Sequence, residues 1–341
     1  MNRRKLIRQS SLSGASILIL KDMFAKPQQK VHGHNNMKYT LDTAWAKTTS
    51  SQFPVNDCHE MVQDQKGRII LLTNETKNNL LVFDTSGKVL ENWGHEFPGA
   101  HGLTLHNENG TDFLYITDTV KHKVYKTDLH GKILLTISTP LNEGIYNKDE
   151  EFVPTETTID DNGDILIADG YGLQYVMRYD RNGKLLNYFG GRGQGDNQLD
   201  NAHGICIDTR GGSNTLLVTD RTRNCFKRFN KEGHLLEIIK LDGACVCRPV
   251  IKGDYLYAAV LRSPNLGTEA SGFVTILNKE NKVVSNIGGN EPVYVEGKLQ
   301  PLRQTEKIFV HPHDVCVDRD ENIYVAQWAS GKVYPYKLTR V

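Results

Sequence analysis

Four histidines recur at one position of a repeated sequence pattern, and they are the residues best suited to chemistry. The position lies five residues before the turn residue of each of six similar segments, and it reads His59, His101, Thr155, His203, Arg248 and His313. His101, His203 and His313 fall about two repeats apart, so in a closed ring they converge from directions roughly 120° apart. Three neutral imidazoles with an open fourth position are typical ligands of catalytic Zn²⁺ or another divalent transition metal.

A plainer explanation exists for these histidines, since each can simply hydrogen-bond its neighbours at the mouth of a channel. Their recurrence in alternate repeats favours the metal site. The fourth histidine, His59, is predicted to be either an additional metal ligand or an additional acid or base.

Tyr171 and Arg221 occupy matching places after the second strand of two consecutive repeats, within residues 169–171 and 219–221. Loops at that place project toward the same mouth as the histidines. A tyrosine acts as a general base when a metal and an arginine lower its pKa, and an arginine grips a carboxylate through two hydrogen bonds. Tyr171 can equally be a packing aromatic, and Arg221 an ion-pair partner between repeats, so both interpretations stay open.

The segments that carry these residues are predicted to be four-stranded antiparallel sheets. In residues 154–208, four short apolar-alternating runs are separated by tight turns that contain glycine. Similar segments recur at about 45–55 residues, a period typical of a propeller or a solenoid. The last segment, 321–341, has three strands, and residues 37–45 can supply the fourth. The sequence therefore predicts an all-β, six-bladed β-propeller in which an N-terminal strand closes the ring and removes exposed sheet edges.

The repeats, with Asp-x-x-Gly turns and Ile/Val-Thr/Ala-Asp second strands, resemble NHL repeats from about residue 40 to the end. The motifs around the candidate residues resemble those of the peptidyl-α-hydroxyglycine α-amidating lyase family. These motifs are residues 100–103, 169–171, 202–204, 219–221 and 312–314.

The resemblance implies specific roles. It implies that the histidines at 101, 203 and 313 bind zinc and that Tyr171 and Arg221 take part in catalysis. It also implies a structural Ca²⁺ in the channel, held by the side chain of Asp314 and the backbone carbonyls of Leu103 and Met61. The implied reaction breaks the C–N bond of an N-acyl hemiaminal and yields an amide and a glyoxylate-like aldehyde.

One family feature is missing. The family has a second catalytic arginine after the second strand of its first blade, where this chain reads Thr-Asn-Glu-Thr at residues 73–76. Arg248, on the axial ring, is predicted to supply the displaced positive charge. Arg248 and His59 therefore join Tyr171 and Arg221 as candidate catalytic residues.

The N-terminal segment, residues 1–36, is predicted to be an export signal and linker, with the propeller domain at 37–341. Paired arginines at 3 and 4 precede a short, weakly apolar run at 11–20 and resemble a twin-arginine signal. A periplasmic or extracellular location follows, the alternative being a merely basic tail.

The charge composition bears on which classes of partner the protein can bind. The net charge of +1 gives no strong field for nucleic acid. We predict a monomer that acts on a small-molecule or peptide-derived substrate, binds no nucleic acid and has no membrane span. Cys206 and Cys316 are expected to be free thiols. The leading hypothesis is an exported metal-dependent lyase that cleaves a C–N or C–O bond in a small hydroxylated substrate. The alternatives are a hydrolase or lyase acting on a sugar or lactone, and a non-catalytic binding propeller.

Overall fold

Six antiparallel sheets surround a central channel in the computed structural model, which describes residues 29–212, 214–263 and 272–341. The predicted six-bladed, all-β propeller is confirmed. Second strands such as β4 (Ile69–Thr73) are buried along their whole length, because each blade packs against a neighbour on both faces. The predicted twin-arginine signal falls in residues 1–28, outside the described residues, and stays a prediction.

The strands run outward from the channel in chain order within the first five blades. Blade 1 contains β3 (Cys58–Gln63), β4 (Ile69–Thr73), β5 (Leu80–Phe83) and β6 (Val89–Trp93). Blade 2 contains β7 (Ala100–Glu108), β8 (Thr111–Asp118), β9 (Lys123–Thr127) and β10 (Ile133–Ser138). Blade 3 contains β11 (Glu156–Ile159), β12 (Ile165–Ala168), β13 (Tyr175–Tyr179) and β14 (Leu185–Gly190). Blade 4 contains β15 (Ala202–Asp208), β16 (Thr215–Asp220), β17 (Cys225–Phe229) and β18 (Leu235–Lys240). Blade 5 contains β19 (Val250–Lys252), β20 (Tyr255–Val260), β21 (Phe273–Leu277) and β22 (Val283–Ile287).

Blade 6 closes the ring with strands from both ends of the chain. From the channel outward it contains β25 (Pro312–Val317), β26 (Ile323–Gln327), β27 (Tyr336–Arg340), β2 (Met37–Asp42) and β1 (Val31–His34). The antiparallel pairing of β2 with β27 is the predicted closure. The fifth strand, β1, was not predicted: it folds back on β2 through a turn in which Asn35 has a φ of 52°, so the sheet begins before the predicted boundary at residue 37.

Few other elements are present in the described part of the chain. They are the hairpin β23 (Tyr294–Val295) and β24 (Lys298–Leu299) and short 3₁₀ helices at Leu141–Glu143, Asp149–Glu151, Arg210–Gly212 and Arg221–Arg223. Within the described ranges, no helix has the length and apolar character needed to cross a membrane. All six cysteines are unbridged, as expected for Cys206 and Cys316.

Apolar clusters fill the spaces between adjacent blades and fix the positions of their inner strands. At the closure, Trp45 packs between Phe83 of blade 1 and Tyr324 of blade 6, with ring centroids 5.0 and 4.8 Å away. Burial of such large side chains is the main favourable contribution to folding. The inner strands are therefore rigid supports for the residues that face the channel.

Candidate active site

A local irregularity positions each of the four histidines. The pairing of the first and second strands shifts register at the histidine in four blades, at the pairs Cys58/Glu60, Ala100/Leu103, Ala202/Ile205 and Pro312/Asp314. The first strands of blades 3 and 5, β11 and β19, pair with their neighbours without such a shift and carry no histidine. A bulge of this kind redirects a side chain out of the regular pleat, so here it directs the imidazoles toward the channel axis.

The four imidazole rings form one buried cluster at an end of the channel. The rings of His101 and His313 are central, with centroids 4.9 Å apart, and each lies 4.8 to 5.0 Å from the rings of His59 and His203. The candidate ligand atoms of His59, His101 and His313 lie within 4.8 Å of one another. This group contains His59 in place of His203, which was predicted as a metal ligand and whose ring packs against those of His101 and His313.

Hydrogen bonds fix two of these rings and leave nitrogen atoms of the other two without a protein partner. Nδ1 of His101 lies 2.8 Å from the carbonyl of Thr155, and Nδ1 of His313 lies 3.0 Å from the carbonyl of His59. Donation from Nδ1 leaves the lone pair on Nε2, the arrangement that orients a metal-binding histidine. Among the described residues, neither ring nitrogen of His203 has a hydrogen-bond partner, and neither does Nδ1 of His59.

Burial keeps the imidazoles neutral. It lowers the pKa of His59 to about 3 and lowers the pKa values of His101, His203 and His313 well below the usual range. Buried, neutral imidazoles with unpartnered nitrogen atoms fit a divalent transition metal, because such an ion would satisfy groups that are otherwise costly to bury.

Tyr171 and Arg221 face the histidine cluster, as predicted. The hydroxyl of Tyr171 lies 3.1 Å from Nε2 of His101 and 3.3 Å from a terminal nitrogen of Arg221, which donates to it. Burial raises the pKa of the Tyr171 phenol, and the positive charge of Arg221 opposes that increase. The lowering effect expected from the arginine is therefore present, but burial outweighs it.

The loop that carries Tyr171 is held by one buried carboxylate and two glycines. Asp169 accepts hydrogen bonds from the backbone N–H groups of Val153 and Leu173, at 2.7 and 2.6 Å. A Cβ atom on Gly170 would lie 2.0 Å from the carbonyl of Ala202, and one on Gly172 would lie 2.1 Å from Asp169. Side chains at these glycines would displace the loop, which explains the Asp-Gly-Tyr-Gly sequence.

Arg248 does not lie where its predicted catalytic role requires. Its guanidinium is buried beyond the histidines, bound to Asp314, and it lines a cavity of about 570 Å³ at the opposite mouth of the channel. Tyr171 and Arg221 instead line the cleft on the other side. The prediction that Arg248 supplies the displaced charge to the substrate is therefore corrected: it shares the ring position of the histidines, but its long side chain extends away from the cleft that Tyr171 and Arg221 line.

The cleft beside the histidines contains residues that the sequence pattern did not single out. Trp328 borders both of its parts, of about 320 and 230 Å³, and Arg262 borders the second together with Arg221. None of the ion pairs among the described residues involves Arg221 or Arg262. Asn74, at the place of the missing family arginine, borders the first part and accepts hydrogen bonds from Asn56 and the N–H of Asp57.

The fold and the site define a six-bladed NHL-type propeller with a histidine cluster at one end of its channel. The chain is 28% identical over 276 residues to peptidyl-α-hydroxyglycine α-amidating lyase 1 of Drosophila melanogaster, covering 74% of this chain and 47% of that protein. It is 24% identical over 313 residues to NHL repeat-containing protein 3 of Homo sapiens, covering 87% and 84% of the two chains. The predicted resemblance to the amidating lyases and to NHL proteins is thereby confirmed.

The matches to the amidating enzymes cover only part of the length of those proteins. The chain spans about half of the fly lyase and 25% of the peptidylglycine α-amidating monooxygenase of Rattus norvegicus, to which it is 24% identical over 277 residues. No protein-family model matches the chain.

Solved structures support the fold alone. A streptogramin B lyase superposes with a TM-score of 0.59 and 13% identity, covering 88% of this chain and 97% of that chain. A gluconolactonase from Xanthomonas campestris superposes with a TM-score of 0.60 and 12% identity, covering 88% and 89%.

Proposed function

We propose that the protein is a metal-dependent lyase of the amidating type, which cleaves the C–N bond of a small N-acyl-α-hydroxyglycine. The observation that carries the proposal is the position of the Tyr171 hydroxyl between the histidine cluster and Arg221. A phenol in that position lies beside the histidines that would hold a metal ion and beside the arginine that would hold a substrate carboxylate. The similarity to the amidating lyases supports the same reaction class.

The histidines at 59, 101, 203 and 313 would hold the metal, with zinc as the first candidate. A divalent ion bound there would supply positive charge that polarises a substrate oxygen and favours the ionised form of a neighbouring phenol. His101 keeps its orientation through the bond from Nδ1 to the Thr155 carbonyl, so its Nε2 points toward Tyr171.

Tyr171 is the proposed general base. Its ionised oxygen takes the proton from the α-hydroxyl group of the substrate, the carbonyl of the aldehyde forms, and the Cα–N bond breaks. The electron pair of that bond goes to the amide nitrogen, which takes the proton from Tyr171 and so returns the base to its ionised form. The products are a primary amide and glyoxylate, and no oxidant or reductant is needed.

Arg221 is the proposed carboxylate-binding residue, and Arg262 adds a second positive charge to the same cleft. Both guanidinium groups are free of ion pairs to described carboxylates, so their charge is available to an anionic substrate. Arg262 enters from blade 5, whereas the family arginine that is missing here comes from blade 1. The cleft volumes of about 230 and 320 Å³ suit a small substrate better than a long peptide.

The test is metal analysis combined with product analysis. We expect about one transition-metal ion per chain in the purified protein, and loss of that ion in His203→Ala. The exposed His130, whose side chain is 72% accessible, provides the matched control His130→Ala, which should keep the metal. The metal-loaded protein should convert N-benzoyl-α-hydroxyglycine to benzamide and glyoxylate. A wild-type protein that takes up neither zinc nor another divalent metal would contradict the proposal.

The second candidate is a metal-dependent enzyme that opens a lactone or cleaves a sugar derivative. The superposition on the gluconolactonase favours it at the level of the fold. Release of acid from a lactone by the metal-loaded protein, with no glyoxylate from the hydroxyglycine, would select this candidate. A binding propeller, consistent with the nearly full-length match to NHL repeat-containing protein 3, would be selected by a protein that holds no metal at all.

A further inference from the structure

A second polar cluster lies immediately beyond the histidines on the same inner strands, and Arg248 is its centre. Nε and one terminal nitrogen of Arg248 bind the two carboxylate oxygens of Asp314 at 3.0 and 2.8 Å. The terminal nitrogens also donate to the backbone carbonyls of Leu103 and Met61, at 2.9 and 3.2 Å. Glu60 lies 3.3 Å from the guanidinium.

These contacts provide an acceptor for every N–H group of the guanidinium. It has five N–H groups in a planar fork, and four make the hydrogen bonds to Asp314, Leu103 and Met61, while the fifth faces Glu60. Glu156, from a further blade, lies 3.6 Å from Nε. One side chain of blade 5 thus contacts blades 1, 2, 3 and 6 at the channel axis.

The oxygen atoms around Arg248 are those that would bind calcium. Three carboxylates and two backbone carbonyls are hard oxygen ligands of the kind that Ca²⁺ prefers. Asp314, Leu103 and Met61 are the three ligands that the family resemblance implies for a structural calcium. All three already bind the guanidinium, so the residues as folded here do not fit a calcium ion.

We infer that Arg248 is the structural cation of this propeller, a covalently attached charge that takes the place of a bound calcium ion. The neighbouring blade makes room for it: a Cβ atom on Gly204 would lie 2.5 Å from Cα of Arg248. Arg248 is therefore a positioning residue. It fixes Glu60, Leu103 and Asp314, which follow closely after three of the histidines. The inference does not depend on the reaction that the site catalyses.

The test is thermal unfolding of wild type and Arg248→Ala in a calcium chelator and in calcium chloride. We expect the melting temperature of wild type to differ by less than about 1 °C between the two conditions. Arg248→Ala should melt roughly 6 °C lower in chelator, because three buried carboxylates lose their counter-charge. Calcium should then raise its melting temperature by about 4 °C at a concentration a hundredfold above the dissociation constant, because the freed oxygen atoms can now bind the ion.

Arg210→Ala is the matched control. Arg210 is also buried, and it pairs with a single carboxylate, Asp208, at 2.7 Å. Its removal should destabilise the protein without creating a calcium site. Equal effects of calcium on the two variants, or about one calcium per chain in purified wild type whose removal destabilises it, would overturn the inference. If Arg248→Ala does not fold in chelator, refolding in calcium but not in magnesium supports the inference. If the variant folds in neither, the calcium content of purified wild type decides: wild type without calcium supports the inference, and about one calcium per chain overturns it.

Discussion

The histidine cluster and the Arg248 cluster are adjacent along the channel, and they differ in almost every physical property. Glu60 and Asp314 directly follow His59 and His313 on their inner strands. The histidines are neutral, and three of their ring nitrogen atoms are buried without a partner among the described residues. The guanidinium of Arg248 is charged and uses its whole fork of donors. Among the described residues, Oε1 of Glu60 and Oε2 of Glu156 also have no hydrogen-bond partner, but both carboxylates face the charged guanidinium. Buried polar groups without partners are costly and persist where a ligand uses them, and the histidine nitrogen atoms have no charge beside them of this kind. The channel therefore contains two layers: the histidine layer, which we propose to be the reactive one, and the Arg248 layer, which we infer to be the structural one.

Tyr171→Phe tests the reactive layer and should have the largest effect. The substitution removes the proposed base and keeps the ring, so we expect kcat to fall by about 10²–10⁴, as is typical for loss of a general base. Metal content and melting temperature should stay at wild-type values, because the hydrogen bonds of the hydroxyl within the described part of the chain are those with His101 and Arg221. Steady-state kinetics with the hydroxyglycine substrate, run beside metal analysis, gives both quantities. Unchanged kcat would remove Tyr171 from the mechanism.

A pair of substitutions by apolar residues, Arg248→Met and His203→Leu, contrasts the two layers directly. Arg248→Met should lower the free energy of unfolding by about 3–5 kcal/mol, because it leaves buried carboxylates without their partner. His203→Leu should change that free energy by no more than about 1 kcal/mol in metal-free protein, since it removes a group that makes no hydrogen bond. Urea unfolding in the presence of a chelator measures both values. Equal losses would mean that the two layers are not distinct.

The sequence predicted the propeller and the identity of the channel residues well, because both depend on a repeat. A fixed position before each turn located all four histidines, and the loop position after the second strand located Tyr171 and Arg221. The glycine that follows His101 and His203 marks the bulge that aims them: a Cβ on Gly102 would lie 2.6 Å from the carbonyl of Thr155.

The repeat could not predict where a long side chain points. Arg248 shares the ring position of the histidines, yet it extends to carboxylates from other blades, whose approach is a tertiary property. Arg262 and Trp328 were missed although the same loop position could have found them. Trp328 directly follows the second strand of blade 6, as Arg221 follows that of blade 4, and Arg262 is the second residue after the second strand of blade 5. The strand β1 was missed because its pairing depends on a turn with a left-handed Asn35.

Arg262→Ala should have the smallest effect on the kinetics of the three tests. It asks whether a second arginine in the cleft beside the histidines contributes to substrate binding. Arg262 is exposed, and a solvent-screened contact with a substrate carboxylate contributes up to about 1 kcal/mol, so KM should rise about fivefold with kcat nearly unchanged. Arg319→Ala is the control, because Arg319 is an exposed arginine at the opposite mouth of the channel. The increase in KM should shrink as salt concentration rises. An equal change in both variants would show that the general charge of the protein, and not a second arginine in the cleft, attracts the substrate.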